Sequence, residues 1–165
     1  MPPAGAGTHN SGVLYDLLKW LHILFAITAV GANLTYAVWV ARAEREPEHL
    51  GFALRSIQFI DQRIANPAYG GVFVTGLINI FVGGWTQHLK TNIWVALGIL
   101  GFILVAGIAG AVYTPLLKAQ LAALETEGAG SAEYKQASAS SNRFGVVIVV
   151  ILFLIVADMV FKPHL

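Results

Sequence analysis

The sequence predicts an all-α membrane protein, a bundle of four transmembrane helices. Three observations carry this. The chain is 56% hydrophobic and only 12% charged, against about 25% charged for a soluble domain. Its mean hydropathy is +0.68. Four windows each supply the roughly 20 apolar residues that a bilayer crossing needs. Helices follow because lipid leaves backbone groups only helices or closed barrels, and no short alternating strands occur.

Span one runs 20–41 and carries no charge. Residues 1–13 before it read as a flexible tail. They lack the basic n-region and cleavage site of a removable signal, so span one is expected to stay in the mature protein. Span two runs about 67–85, span three 93–113 and span four 144–161, so 14–163 form a single membrane domain. The turn 86–92 is short enough to make spans two and three adjacent and antiparallel. Pro115 is expected to close span three.

Basic residues set the orientation. Arg42, Arg45, Arg55 and Arg63 follow span one, and Lys118, Lys135 and Arg143 follow span three. Only Lys19, Lys90 and Lys162 lie on the other side. Both termini are therefore expected outside, with helical extensions in the cytoplasm. Leu50, Ala53, Ile57, Ile60 and Ile64 repeat at helical spacing, either as an amphipathic helix on the inner surface or as an extension of span two. Asn66-Pro67 should break or kink the chain before span two. Leu117, Leu121 and Leu124 continue span three inward. Gly128-Ala129-Gly130 stops that helix, and Ser131 caps the next one.

Helices associate in lipid through small residues and interhelical hydrogen bonds. His22, Ala26, Ala29, Asn33 and Tyr36 form one stripe on span one. Gly71, Thr75, Asn79, Gly83 and Thr86 lie near one face of span two. Ala106/Gly110 and Gly107/Ala111 are small-xxx-small pairs on span three. All three faces are expected to look inward, with Asn33, Thr75 and Asn79 as interhelical polar contacts.

The candidate site lies at the outer side. His22 sits about 3 Å below the ring level of Trp20, His88 about 5 Å above that of Trp85, and Asp158 within about 5 Å of the same surface. Lys19 and Trp94 ring the same level, and the inner half shows no comparable set of titratable groups. An ionisable residue inside a span is a functional-site candidate by default. His22 could ligate a metal or haem iron, with His88 as second ligand and Asp158 orienting the ring. Equally, His22 could hydrogen-bond a neighbouring helix, and Asp158 could pair with Lys162 at i+4.

Several chemistries are excluded. The chain has no cysteine, so it holds no disulfide, iron–sulfur cluster, thiolate zinc site or cysteine nucleophile. A net charge of +1 gives no field for nucleic acid. No phosphate loop or hydrolase triad occurs. No charge lies mid-membrane, as a proton-coupled pump would need.

Lys19-Trp20-Leu21-His22, Trp94, Pro115 and Met159-Val160-Phe161-Lys162-Pro163 resemble an uncharacterised bacterial family of four-span membrane proteins, over residues 14–163. That family is distantly similar to the CopD copper-resistance membrane domain and to HemJ-type protoporphyrinogen oxidases. The resemblance implies a bacterial plasma membrane and b-type haem, with His22 as its ligand. The functional lysine of the HemJ type has no counterpart, since 93–113 contains no Lys, His or Arg. Three readings stand: an accessory or scaffold subunit packing against other membrane subunits or its own copy, a haem-binding redox-linked protein, and a small metal or solute transporter.

Overall fold

A computed structural model describes residues 6–88 and 92–163, with the side chains of 6–11, 87 and 88 outside that description. Every described element is helical. Helix α1 runs Ala6–Ala43, so it begins well inside the stretch whose composition reads as a tail. A short turn at Pro47–His49 leads into α2, Leu50–Ile60. A π turn at Asp61–Ala65 joins α2 to α3, Asn66–Val82, without a break. Helix α4, Ile93–Ile108, continues through a second π turn, Ala109–Tyr113, into α5, Thr114–Glu127. Helix α6 runs Ala132–Phe161. Four continuous helices are thus long and apolar enough to cross a membrane.

Neither Pro67 nor Pro115 ends its helix, so the break expected at Asn66-Pro67 does not occur, and the helix continues past Pro115 as the spacing of Leu117, Leu121 and Leu124 predicts. Proline lacks an N–H and its ring strikes the carbonyl four residues back, which normally kinks or breaks a helix. Here each proline stands two residues after a π turn. A π turn inserts one residue and widens the coil where the clash would fall. The amphipathic segment therefore extends span two and does not lie on the surface as a separate helix. The inserted residue also shifts the buried stripe. Ala65 is fully buried, whereas Ile64 is 45% exposed.

The other punctuation follows the sequence. Gly128 ends α5 with a φ of +84, a conformation L side chains resist. Ser131 caps α6, its Oγ accepting from Tyr134 N–H at 3.1 Å.

Helix α1 packs chiefly on α3, and α4 and α5 on α6, while α2 bridges α1 and α5. The α1–α2 and α5–α6 turns gather at one end of the bundle, called here the connection end. The opposite end carries the α3–α4 hairpin. The buried apolar core sits toward the connection end, around Leu50, Leu54, Ile57, Leu117, Tyr134 and Ile148. That placement has a physical cause. Burial gains free energy where the alternative is water, and α2, α5 and the start of α6 extend past the apolar windows. Deeper in lipid, Leu gains little by leaving one apolar surface for another. Accordingly Leu100, Ile103, Phe153 and Leu154 stay largely exposed.

Candidate functional site

At the hairpin end the structure joins His22 to Thr75. Their Nδ1 and Oγ1 lie 3.1 Å apart. The Thr75 hydroxyl is committed to the Gly71 carbonyl at 2.5 Å, so it accepts from the ring. The Val72 carbonyl beside His22 can only accept as well. A ring that donates Nδ1–H to Thr75 would leave Nε2 with its lone pair. Small residues permit this approach. A Cβ at Gly76 would lie 3.0 Å from His22 Cε1, and one at Gly71 would lie 2.6 Å from the Phe25 ring.

Asp158 stands on the other helix pair. A Cβ built on Gly98 would lie 3.7 Å from its Oδ2, and that oxygen is buried without a hydrogen-bond partner. Among the described residues no hydrogen bond or ion pair links Asp158 to His22. Nor does Asp158 form the i+4 ion pair with Lys162. The Lys162 ammonium instead lies over the Trp94 ring, 5.3 Å from its centroid, where the ring quadrupole attracts a cation. Trp94 is itself buried and stands edge-on to Trp85 at 5.3 Å, so it is a packing residue more than an exposed belt residue. The His88 side chain lies outside the described residues, as do Lys90 and His164. Asn79 Oδ1 is buried with no hydrogen-bond partner. No group of three His, Asp or Glu able to hold a metal occurs among the described residues.

The expectation that only one end of the bundle gathers titratable groups is overturned. Toward the connection end, Asn33 Nδ2 donates to Tyr69 Oη at 2.8 Å and to the Ala29 carbonyl at 2.9 Å. Asp61 faces Tyr36 and lies near Tyr69 and Tyr113. Asn66 Nδ2 donates to Asp61 Oδ2 at 3.4 Å. Tyr36 and Tyr113 also border a cleft of about 170 Å³ between α1, α5 and α6, with Gln120, Ser138, Ser141 and Asn142. Sequence reasoning missed this layer because its members come from three continuous helices and Asp61 was not singled out. One signal was available: Asp61 falls four residues after the fully buried Ile57, hence on the same face.

The small-residue pairs of α4 also depart from expectation. Ala106, Gly107, Gly110 and Ala111 are all exposed. No atom lies within 4 Å of a Cβ built on Gly107 or Gly110. The face points out of the bundle because α4 uses Gly98, Gly101 and Val105 against α6.

Among known proteins, no curated protein and no solved structure matches the chain. One family model does match, described as a predicted integral membrane protein, and it covers residues 16–163. That stretch includes all four spans, the polar layer and the exposed α4 face. The chain belongs to this family of predicted integral membrane proteins, DUF2269.

Proposed function

We propose that this integral membrane protein serves as a helix-packing accessory subunit, and that the exposed face Ala106–Ala111 seats a transmembrane helix of a neighbouring subunit. The uncovered small-xxx-small pairs carry the reading, since such faces let backbones approach closely in lipid. The turn beneath them adds to it. Pro115 supplies no N–H, so one carbonyl of the preceding turn loses its helical donor, and an open carbonyl is costly against lipid. A partner helix would cover that turn.

The chain has no cysteine, so Ala106→Cys gives a unique handle for crosslinking in native membranes. Crosslinking to a second copy or to another membrane protein supports the reading and names the neighbour. Absence of any crosslink, with a lone monomer in mild detergent, overturns it.

A second reading keeps b-type haem at His22, following the resemblance to CopD and HemJ-type proteins. Its support is the 3.1 Å contact between His22 Nδ1 and Thr75 Oγ1. A ring that donates Nδ1–H to Thr75 presents Nε2 as a ligand, the arrangement that second-shell hydrogen bonds give to metal-bound histidines. The oxidised and dithionite-reduced visible spectra of the native protein and of His22→Ala test it. A Soret band lost in the variant supports the reading, and a protein that stays colourless with added haem ends it.

A further inference from the structure

The cleft between α1, α5 and α6 is built differently at its two ends. Its deep end is polar and buried. Tyr36 is 4% exposed, Ser141 5% and Gln120 2%. Asp61 approaches Tyr36 from outside the cleft lining, but neither Tyr36 Oη nor Ser141 Oγ has a protein partner at full hydrogen-bond geometry. A buried polar atom left unpaired is destabilising, so two such hydroxyls beside one cavity point to an occupant that would pair with them. The lip is apolar, formed by Leu34, Val146 and Val150, which are 41%, 54% and 51% exposed. These positions lie within the apolar windows of α1 and α6, so that lip opens sideways toward acyl chains, while exposed Asn142 lines the cleft beyond those windows.

Three properties narrow the occupant. None of the residues lining the cleft is Asp, Glu, Lys, Arg or His, so nothing there neutralises a phosphate. The volume of about 170 Å³ resembles the cavity of about 150 Å³ that admits one benzene ring. The free groups at the deep end are hydroxyls, which donate to carbonyl oxygens. We propose that this cleft binds the headgroup of an isoprenoid quinone, an uncharged ring with carbonyl acceptors, whose tail leaves between Leu34 and Val150. The lateral opening lets such a ligand enter from the bilayer without crossing water. The proposal concerns binding alone and is independent of the α4 face and of His22.

The test is photolabelling of the detergent-purified full-length protein with an azido-quinone carrying a short isoprenoid tail, with labelled peptides sequenced by mass spectrometry. Labelling is expected on 33–40 or 138–150, and unlabelled decyl-tailed quinone should compete it away. Tyr36→Phe removes one donor and keeps the ring. It should weaken competition by about fivefold, the scale of one hydrogen bond. Gly145 borders the cleft, and a Cβ there meets Tyr113 at an ordinary 3.5 Å. Gly145→Ala should therefore retain labelling, while Gly145→Leu fills the cleft and should abolish it. If Gly145→Leu fails to elute as the native protein does, Tyr36→Phe and Gly145→Ala still decide the matter. Labelling that falls elsewhere, resists competition or ignores Tyr36→Phe overturns the proposal. So does equal labelling of the same peptides by a photoreactive phosphatidylglycerol that quinone cannot displace.

Discussion

Gly70 and Gly71 are adjacent on α3 and offer a controlled test of how α1 and α3 are held together. A Cβ at Gly71 would lie 2.6 Å from both Cγ and Cδ2 of Phe25, while one at Gly70 meets nothing within 4 Å. Ordinary contact begins near 3.4 Å, so Gly71→Ala is short of room by about 1 Å, enough for an overpacking penalty of about 1–3 kcal/mol. Turning the Phe25 ring about χ2 does not help, because Cγ lies on that axis. Either χ1 must change or the helices must separate. Replacing Gly by Ala inside a helix gains about 0.5–1 kcal/mol of backbone entropy, and this term is common to both variants. Their difference therefore isolates the clash: Gly71→Ala should be less stable than Gly70→Ala by about 1–3 kcal/mol. The assay is unfolding in mixed micelles titrated with dodecyl sulfate, followed by tryptophan fluorescence from the four Trp residues. Equal midpoints for the two variants would refute the close α1–α3 packing from which the penalty was worked.

Further outcomes follow from single contacts. Thr75→Val strips His22 of its acceptor and should destabilise the fold by about 1–3 kcal/mol in the same titration, while Thr75→Ser keeps the bond and most of the stability. Gly98→Ala clashes only with the flexible end of Met159 and meets Asp158 Oδ2 at an ordinary 3.7 Å, so it should lose less than Gly71→Ala. Arg55 and Glu125 form an exposed pair at 3.0 Å between α2 and α5. A double-mutant cycle on them should give a coupling of about 0.2–1 kcal/mol that shrinks as salt rises. Pro67→Ala restores an N–H yet should leave the π turn in place. The readout is a disulfide between Arg55→Cys and Glu125→Cys, which should form equally with and without the Pro67→Ala change.

The topology was legible because its signals are local. Four apolar windows, a seven-residue turn between 85 and 93, a Gly128 stop and a Ser131 cap each depend on a few neighbouring residues. Faces were legible only where the helix is regular. The stripe His22, Ala29, Asn33, Tyr36 turns inward on α1, and Thr75 and Gly71 turn inward on α3, whereas Gly83 and Thr86 are exposed. The α4 face was misjudged for a different reason. Small residues report that something can approach closely, and the sequence does not say whether that partner belongs to the same chain. The Asp61 layer was hidden because three continuous helices contribute to it, and pairings between helices leave no period along the chain.

The π turns explain how each proline sits inside a continuous helix. A single unbroken α-helix through Asp61–Ala65 would remove one residue's rotation, about 100° at 3.6 residues per turn. Relative to α3, that would swing α2 off its buried face. Leu54 and Ile57 are fully buried and Leu50 nearly so, and each such side chain contributes about 1.5–3 kcal/mol when taken from water. One hydrogen bond recovered in an ideal helix contributes about 0.5–1.5 kcal/mol. Burial wins by several-fold, so α2 dictates the phase and the π turn absorbs the mismatch. Pro67 then sits where the turn has already given up a regular bond and sacrifices little more. The same turn is what directs Asp61 toward Tyr36, Tyr69 and Tyr113. A packing demand at the connection end thereby sets the position of the polar layer.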